Sequence, residues 1–179
     1  MKRFSLLLAL LVVGLTTIVA DDTPVAVPES SVFDRFPAAL GAQVVLALDT
    51  NTFLGGLSWQ YWFGPIGLQV SGGGLVASDS SYNYNVFGST QFRMYGADFN
   101  QWFSGALYGN VLLGHSGSGG ASLAYVPRLH AGVGIGIELV FLEHLSPSVE
   151  FQYVSSIPLA GGEAFNLGFG LGFSLRYRF

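Results

Sequence analysis

The thirteen residues from Leu167 to Phe179 constrain the fold more than any other stretch. Large apolar or aromatic side chains stand at every second position, at Leu167, Phe169, Leu171, Phe173, Leu175, Tyr177 and Phe179. Gly168, Gly170, Gly172, Ser174, Arg176 and Arg178 fill the positions between. A period of two marks a β-strand with one apolar face and one small or polar face. An ordinary strand keeps that contrast for about five or six residues. Here it persists for thirteen, long enough for a tilted strand to cross a bilayer.

The composition narrows what surrounds this strand. Half of the 179 residues are apolar and only 10% are charged, against roughly 25% charged in a soluble domain. No internal run of about 20 apolar residues offers a transmembrane helix. High apolarity without such a run leaves a large buried core or a transmembrane β-barrel. The 25 glycines lie mostly inside alternating segments, and there is no cysteine. That excludes disulfides, thiolate metal sites and a cysteine lipid anchor.

The N-terminus reads as a secretory signal over residues 1–20. Lys2 and Arg3 precede an apolar core, Phe4 to Val13, and small residues lead to Ala20 before Asp21. Without that segment the chain keeps five arginines, no lysine and eleven acids, a formal charge of −6. It carries no basic patch for a nucleic-acid backbone. Residues 21–37 hold three prolines and four acids without any period and read as a mobile periplasmic lead-in segment, with a short amphipathic plug or peptide-binding arm as the alternative.

From Ala38 to Phe179 the pattern counts eight strands. They are Leu40 to Leu48, Phe53 to Phe63, Ile66 to Val76, a fourth around Asn83 to Met94, Gln101 to Leu113, Pro127 to Val140, a seventh around Ser148 to Tyr153, and the closing strand. The fifth alternates least cleanly, and its outward face would turn Trp102 and Tyr108 inward. Short turns are expected at Gly64-Pro65, Gly96 to Asn100 and Leu142 to His144; Gly114 to Ala121 is too glycine-rich for a strand and reads as a loop. All three short turns then fall at the end bearing Phe179, and the four loops at the other. This is the asymmetry of an eight-stranded antiparallel up-and-down outer-membrane barrel, with its short turns periplasmic. A soluble barrel would point its apolar face inward and cover its exterior with lysine and glutamate. The polar face here is glycine, serine, glutamine and asparagine with few charges. Aromatic residues near both strand ends (Phe53, Tyr84 and Tyr153; Tyr61, Phe63, Phe103 and Phe179) fit interfacial girdles.

The residues Ala131 to Glu138, the turn after them, Ser148 to Tyr153 and Arg176-Tyr177-Arg178-Phe179 resemble the small eight-stranded outer-membrane barrels of the OmpA/OmpX/OmpW-like, opacity-type group. The resemblance implies a porin-like outer-membrane protein whose last strand is read by the barrel-assembly machinery. Tyr177 and Phe179 match the two aromatic positions of that assembly signal, and Ser174 stands where the family has glycine.

Eight strands enclose an interior that side chains largely fill, and charges there must pair. Glu138 and Glu150 are expected to pair with two of Arg93, Arg128 and Arg176, and glycines of the sixth and eighth strands to make room for Trp102, Tyr108 or Phe87. His144 and Ser146 sit two apart, as in an acyl hydrolase, but at a turn and with no spaced acid to orient the histidine. His115 reads as loop, His130 as an interior hydrogen-bonding residue. The histidines are scattered, so no metal is expected; the alternating glycines open no helix, so no nucleotide cofactor is expected either. The expected role is non-enzymatic: structural, or surface interaction with an extracellular ligand or host through the loops Ala77 to Asn83 and Gly114 to Tyr125, with outer-membrane lipids as surroundings. The alternative is a narrow channel for small or apolar solutes.

Overall fold

The computed structural model describes residues 31–47, 52–78, 80–120, 124–159 and 166–179. The signal segment, residues 21–30 of the lead-in and the side chain of Phe53 lie outside the described residues. Within them the chain forms one helix, α1 (Val32–Arg35), and eight strands: β1 (Ala38–Ala47), β2 (Thr52–Phe63), β3 (Ile66–Val76), β4 (Tyr82–Asn100), β5 (Phe103–Gly119), β6 (Val126–Phe141), β7 (Leu145–Pro158) and β8 (Asn166–Arg178). Each strand pairs antiparallel with the next, and β8 pairs back onto β1, with Ala39 opposite Arg178 and Ala47 opposite Gly170, so the barrel closes in sequence order.

Short turns join β2 to β3, β4 to β5 and β6 to β7 at the end where α1 and Phe179 lie, here the terminal end; the other connections lie at the loop end. The turn before β3 uses Gly64 at a left-handed φ of 58°, which glycine adopts without strain. The turn before β7 instead holds Leu142 and Glu143 at φ of 52° and 66°, and side chains there cost about 1–2 kcal/mol each.

Alternation sorts the side chains inside out. Leu57, Val70, Val86, Val111, Leu113, Val133, Ile137, Phe151, Phe169, Phe173 and Leu175 are exposed, while Gln43, Ser58, Gln60, Gln69, Gln91, Asn110, Glu138, Glu150, Arg176 and Arg178 are buried. The fold therefore keeps its polar groups in the lumen and offers apolar ones to the surroundings.

Two expected connections are strands. Gly96 to Asn100 belongs to β4, and the turn is confined to residues 101–102. A bulge shifts the register between Arg93 and Tyr95, so Met94 and Tyr95 both face out and the period-two pattern is lost there. Gly114 to Gly119 belongs to β5. Its glycines leave room for rings of the neighbouring strand: a Cβ on Gly114 would sit 2.1 Å from Phe87 Cδ1, and one on Gly117 2.8 Å from Tyr84 Cε1. Glycine inside a strand often marks such an approach. Trp102, expected inside, lies exposed in the β4–β5 turn, whereas Tyr108 is fully buried. Its ring packs over Gly136, where a Cβ would fall 2.4 Å from Cζ.

The lead-in is also revised. Residues 31–37, expected mobile, carry a helical turn whose Val32 and Phe33 are buried in the terminal mouth of the barrel. Ser31 caps it by accepting a hydrogen bond from Phe33 N at 3.4 Å. Phe36 leaves the helix at φ −126°, ψ 72°, as a residue before proline is biased to do.

Candidate functional site

The lumen contains one continuous polar network to which every strand contributes. At its lower level Glu138 Oε1 receives Arg178 Nη2 at 2.5 Å, faces Arg176 Nη1 at 3.7 Å and accepts a hydrogen bond from Ser146 Oγ. Gln60 Nε2 donates to Glu138 Oε2 at 3.1 Å and to Gln91 Oε1 at 2.8 Å. Arg176 reaches past β1, donating to Ser58 Oγ of β2 at 3.0 Å and Gln69 Oε1 of β3 at 2.8 Å; Gln69 in turn donates to Gln43 at 2.6 Å. Above this level Glu150 accepts from Tyr108 at 2.6 Å, Gln152 at 2.6 Å, Asn110 at 3.2 Å and Gln91 at 3.5 Å. Long glutamine and arginine side chains span the bore because both amide groups and guanidinium forks bond at each end. The glycines facing them leave the necessary space.

The expected charge set divides into separate places. Glu138 and Arg176 meet in the lumen, and the second arginine on that carboxylate is Arg178, absent from the expected set. Arg178 follows Arg176 by two residues on the same face of β8, so the alternation alone marks it as a lumen residue. Glu150 is held by neutral donors, and among the described residues no arginine forms an ion pair with it. Arg93 lies at the terminal mouth and pairs with Asp34 of α1 at 3.1 Å. Arg128 lies near the loop end and donates to Ser156 at 3.5 Å. Tyr177 and Phe179, the proposed assembly signal, face outward and are 56% and 58% exposed.

His144 and Ser146 do not meet as a catalytic pair. Ser146 faces the lumen and Glu138, while the His144 ring stacks on Tyr177 at 5.1 Å and its Nδ1 lies 2.8 Å from Arg178 O. At the loop end, two clusters assemble that residue spacing does not reveal. Inside, Ser116 Oγ and His130 Nε2 lie 2.7 Å apart beside Phe87. Outside, Tyr84 Oη lies 2.5 Å from Tyr125 Oη and 3.2 Å from His115 Nδ1. Cross-strand register brings them together, with Val86 opposite His115 and Gly114 opposite His130. A cleft of about 580 Å³ opens on the rim between the β3–β4 and β5–β6 connections, lined by Leu75, Tyr82, Asn83, Ser118, Ala124 and Val126 among others. Both loops singled out in the sequence contribute to it.

No protein-family model matches the chain, and no curated protein matches it. Among solved structures, the N-terminal β-barrel domain of Pseudomonas aeruginosa OprF superposes with a TM-score of 0.58 at 14% identity, over 79% of this chain and 96% of that one. The fold is that of a small eight-stranded outer-membrane barrel. Neisserial surface protein A matches with a TM-score of 0.47 at 15% identity, over 80% of this chain and 97% of that one. The attachment invasion locus protein Ail of Yersinia pestis matches at 0.41 and 15%, with the same two coverages.

Proposed function

We propose that this chain is an integral outer-membrane β-barrel that conducts no solute and serves as a rigid membrane anchor, engaging extracellular partners through its loop end. One observation carries the reading: side chains of all eight strands bond to one another across the lumen, while the exterior between the two ends is apolar. Direct hydrogen bonds across the polar interior obstruct a wide water path, and isolating any of its charges would cost several kcal/mol. The apolar exterior suits the hydrocarbon core, and the exposed aromatic residues Phe63, Phe99, Tyr177 and Phe179 at the terminal end suit a headgroup layer. Tyr177 and Phe179 serve as the signal to the barrel-assembly machinery. The rim cleft and the loops around it are the contact surface for an extracellular ligand or host.

Purified protein in planar bilayers tests the reading against the narrow channel. Silence over long recordings is expected. Steady unitary openings would overturn it and favour passage of small solutes. Fractionation of the expressing cells with heat-modifiable gel migration tests the location; recovery in the soluble fraction would overturn that part.

A further inference from the structure

The helical turn at residues 31–36 sits on a surface that the barrel completes only by closing. Phe33 lies between two guanidinium groups, with Arg178 Cζ 4.8 Å and Arg93 Cζ 5.3 Å from its ring centroid, and its edge meets Trp62 at 6.1 Å. With Val32 it joins a cluster of Trp62, Ala106, Tyr108 and Val140. Thus β2, β4, β5, β6 and β8 all contribute to the seat of a four-residue helix.

Polar contacts fasten α1 and its exit to β4, to the β6–β7 turn and to β8, beside the seam where β8 meets β1. Arg178 Nη1 donates to Phe36 O at 3.1 Å, and Phe179 N donates to Ala38 O at 2.9 Å. Asp34 pairs with Arg93 at 3.1 Å, and Arg35 pairs with Glu143 at 2.8 Å. Glu143 belongs to the β6–β7 turn that holds two side chains in the left-handed region. The next residue, His144, is wedged between Phe36 at 4.7 Å and Tyr177 at 5.1 Å. Strain of this kind persists where surrounding contacts hold it.

We propose that residues 31–36 are a closure latch, an internal ligand for a site built only once β8 has paired with β1. Before closure Arg178 is not held under Phe36, and the strands that bear the rest of the seat are not yet curled around the turn. After closure the latch covers the mouth and must leave before the seam can reopen. It therefore acts on the opening rate and not on the closing rate, as interactions formed after the transition state do.

Folding and unfolding kinetics of the full chain in detergent micelles, read by gel migration, test this. For Phe33→Ser, unfolding is expected to speed up by about tenfold while refolding stays within about twofold. Asp34→Asn keeps the buried side chains and carries the same test, with a smaller acceleration, should Phe33→Ser not fold. Arg35→Glu should speed unfolding by roughly threefold, the scale of an exposed ion pair, and adding Glu143→Arg should restore the wild-type rate. An unchanged unfolding rate in Phe33→Ser and Asp34→Asn would overturn the latch. So would a slowing of refolding as large as the gain in unfolding, since α1 would then template the barrel, not lock it.

Discussion

Glu138 is the residue on which the lumen turns. Its carboxylate holds Arg178 at 2.5 Å and Arg176 at 3.7 Å, and all three side chains are shut off from solvent. Replacing it with alanine leaves two buried guanidinium groups without their counter-charge, a loss of about 3–5 kcal/mol. The urea midpoint of Glu138→Ala in detergent should fall accordingly, and an unchanged midpoint would show that the pair stabilises nothing. The alternation identifies Glu138, Glu150, Arg128, Arg176 and Arg178 as lumen residues, because inward position depends only on parity along a strand. It does not say which of them meet. Partners across the bore are set by register and strand tilt, which is why Glu150 ends among Tyr108, Asn110 and Gln152, and why Arg93 ends on Asp34.

At the scale of the element, glycine decides more than its composition suggests. Segments such as Leu129 to Glu138 and Leu167 to Arg178 are readable because a bulky residue alternates with a small one. Gly114 to Gly119 misleads, because glycine's low strand preference is outweighed by the ring that each gap admits from β4 or the following loop. Phe87 and Tyr84 supply the packing that these glycines lack. Gly136→Ala tests the same logic on β6: its Cβ would fall 2.4 Å from the Tyr108 ring and displace the hydroxyl from Glu150. A loss of about 1–3 kcal/mol is expected, the usual scale of overpacking, read as a lower thermal midpoint of the unheated gel band. A stability equal to wild type would mean that Tyr108 is not held where it is described. The β4 bulge is the other break in legibility, since one inserted residue reverses the parity of everything after it.

For the whole molecule, strand count, closure and the placing of short turns at the terminal end follow from the sequence, because both faces of each strand are written into the period. The docking of α1 does not: the five residues between Ser31 and Pro37 carry no period, and their seat exists only in the closed barrel. At the end of β8 the proposed aromatic address, Tyr177 and Phe179, faces outward, and the arginines that bind the lumen and α1 stand on the other face. Deleting Phe179 should therefore reduce insertion in cells more than folding into detergent, measured as membrane-inserted yield against refolded fraction; equal losses would count against the address. The central claim is that the apolar exterior faces lipid. Refolding from urea into phosphatidylcholine vesicles, beside refolding into buffer with neither lipid nor detergent, tests it most directly through heat-modifiable gel migration. The compact unheated band is expected with vesicles and not in plain buffer; a folded, monodisperse protein in plain buffer would contradict the claim.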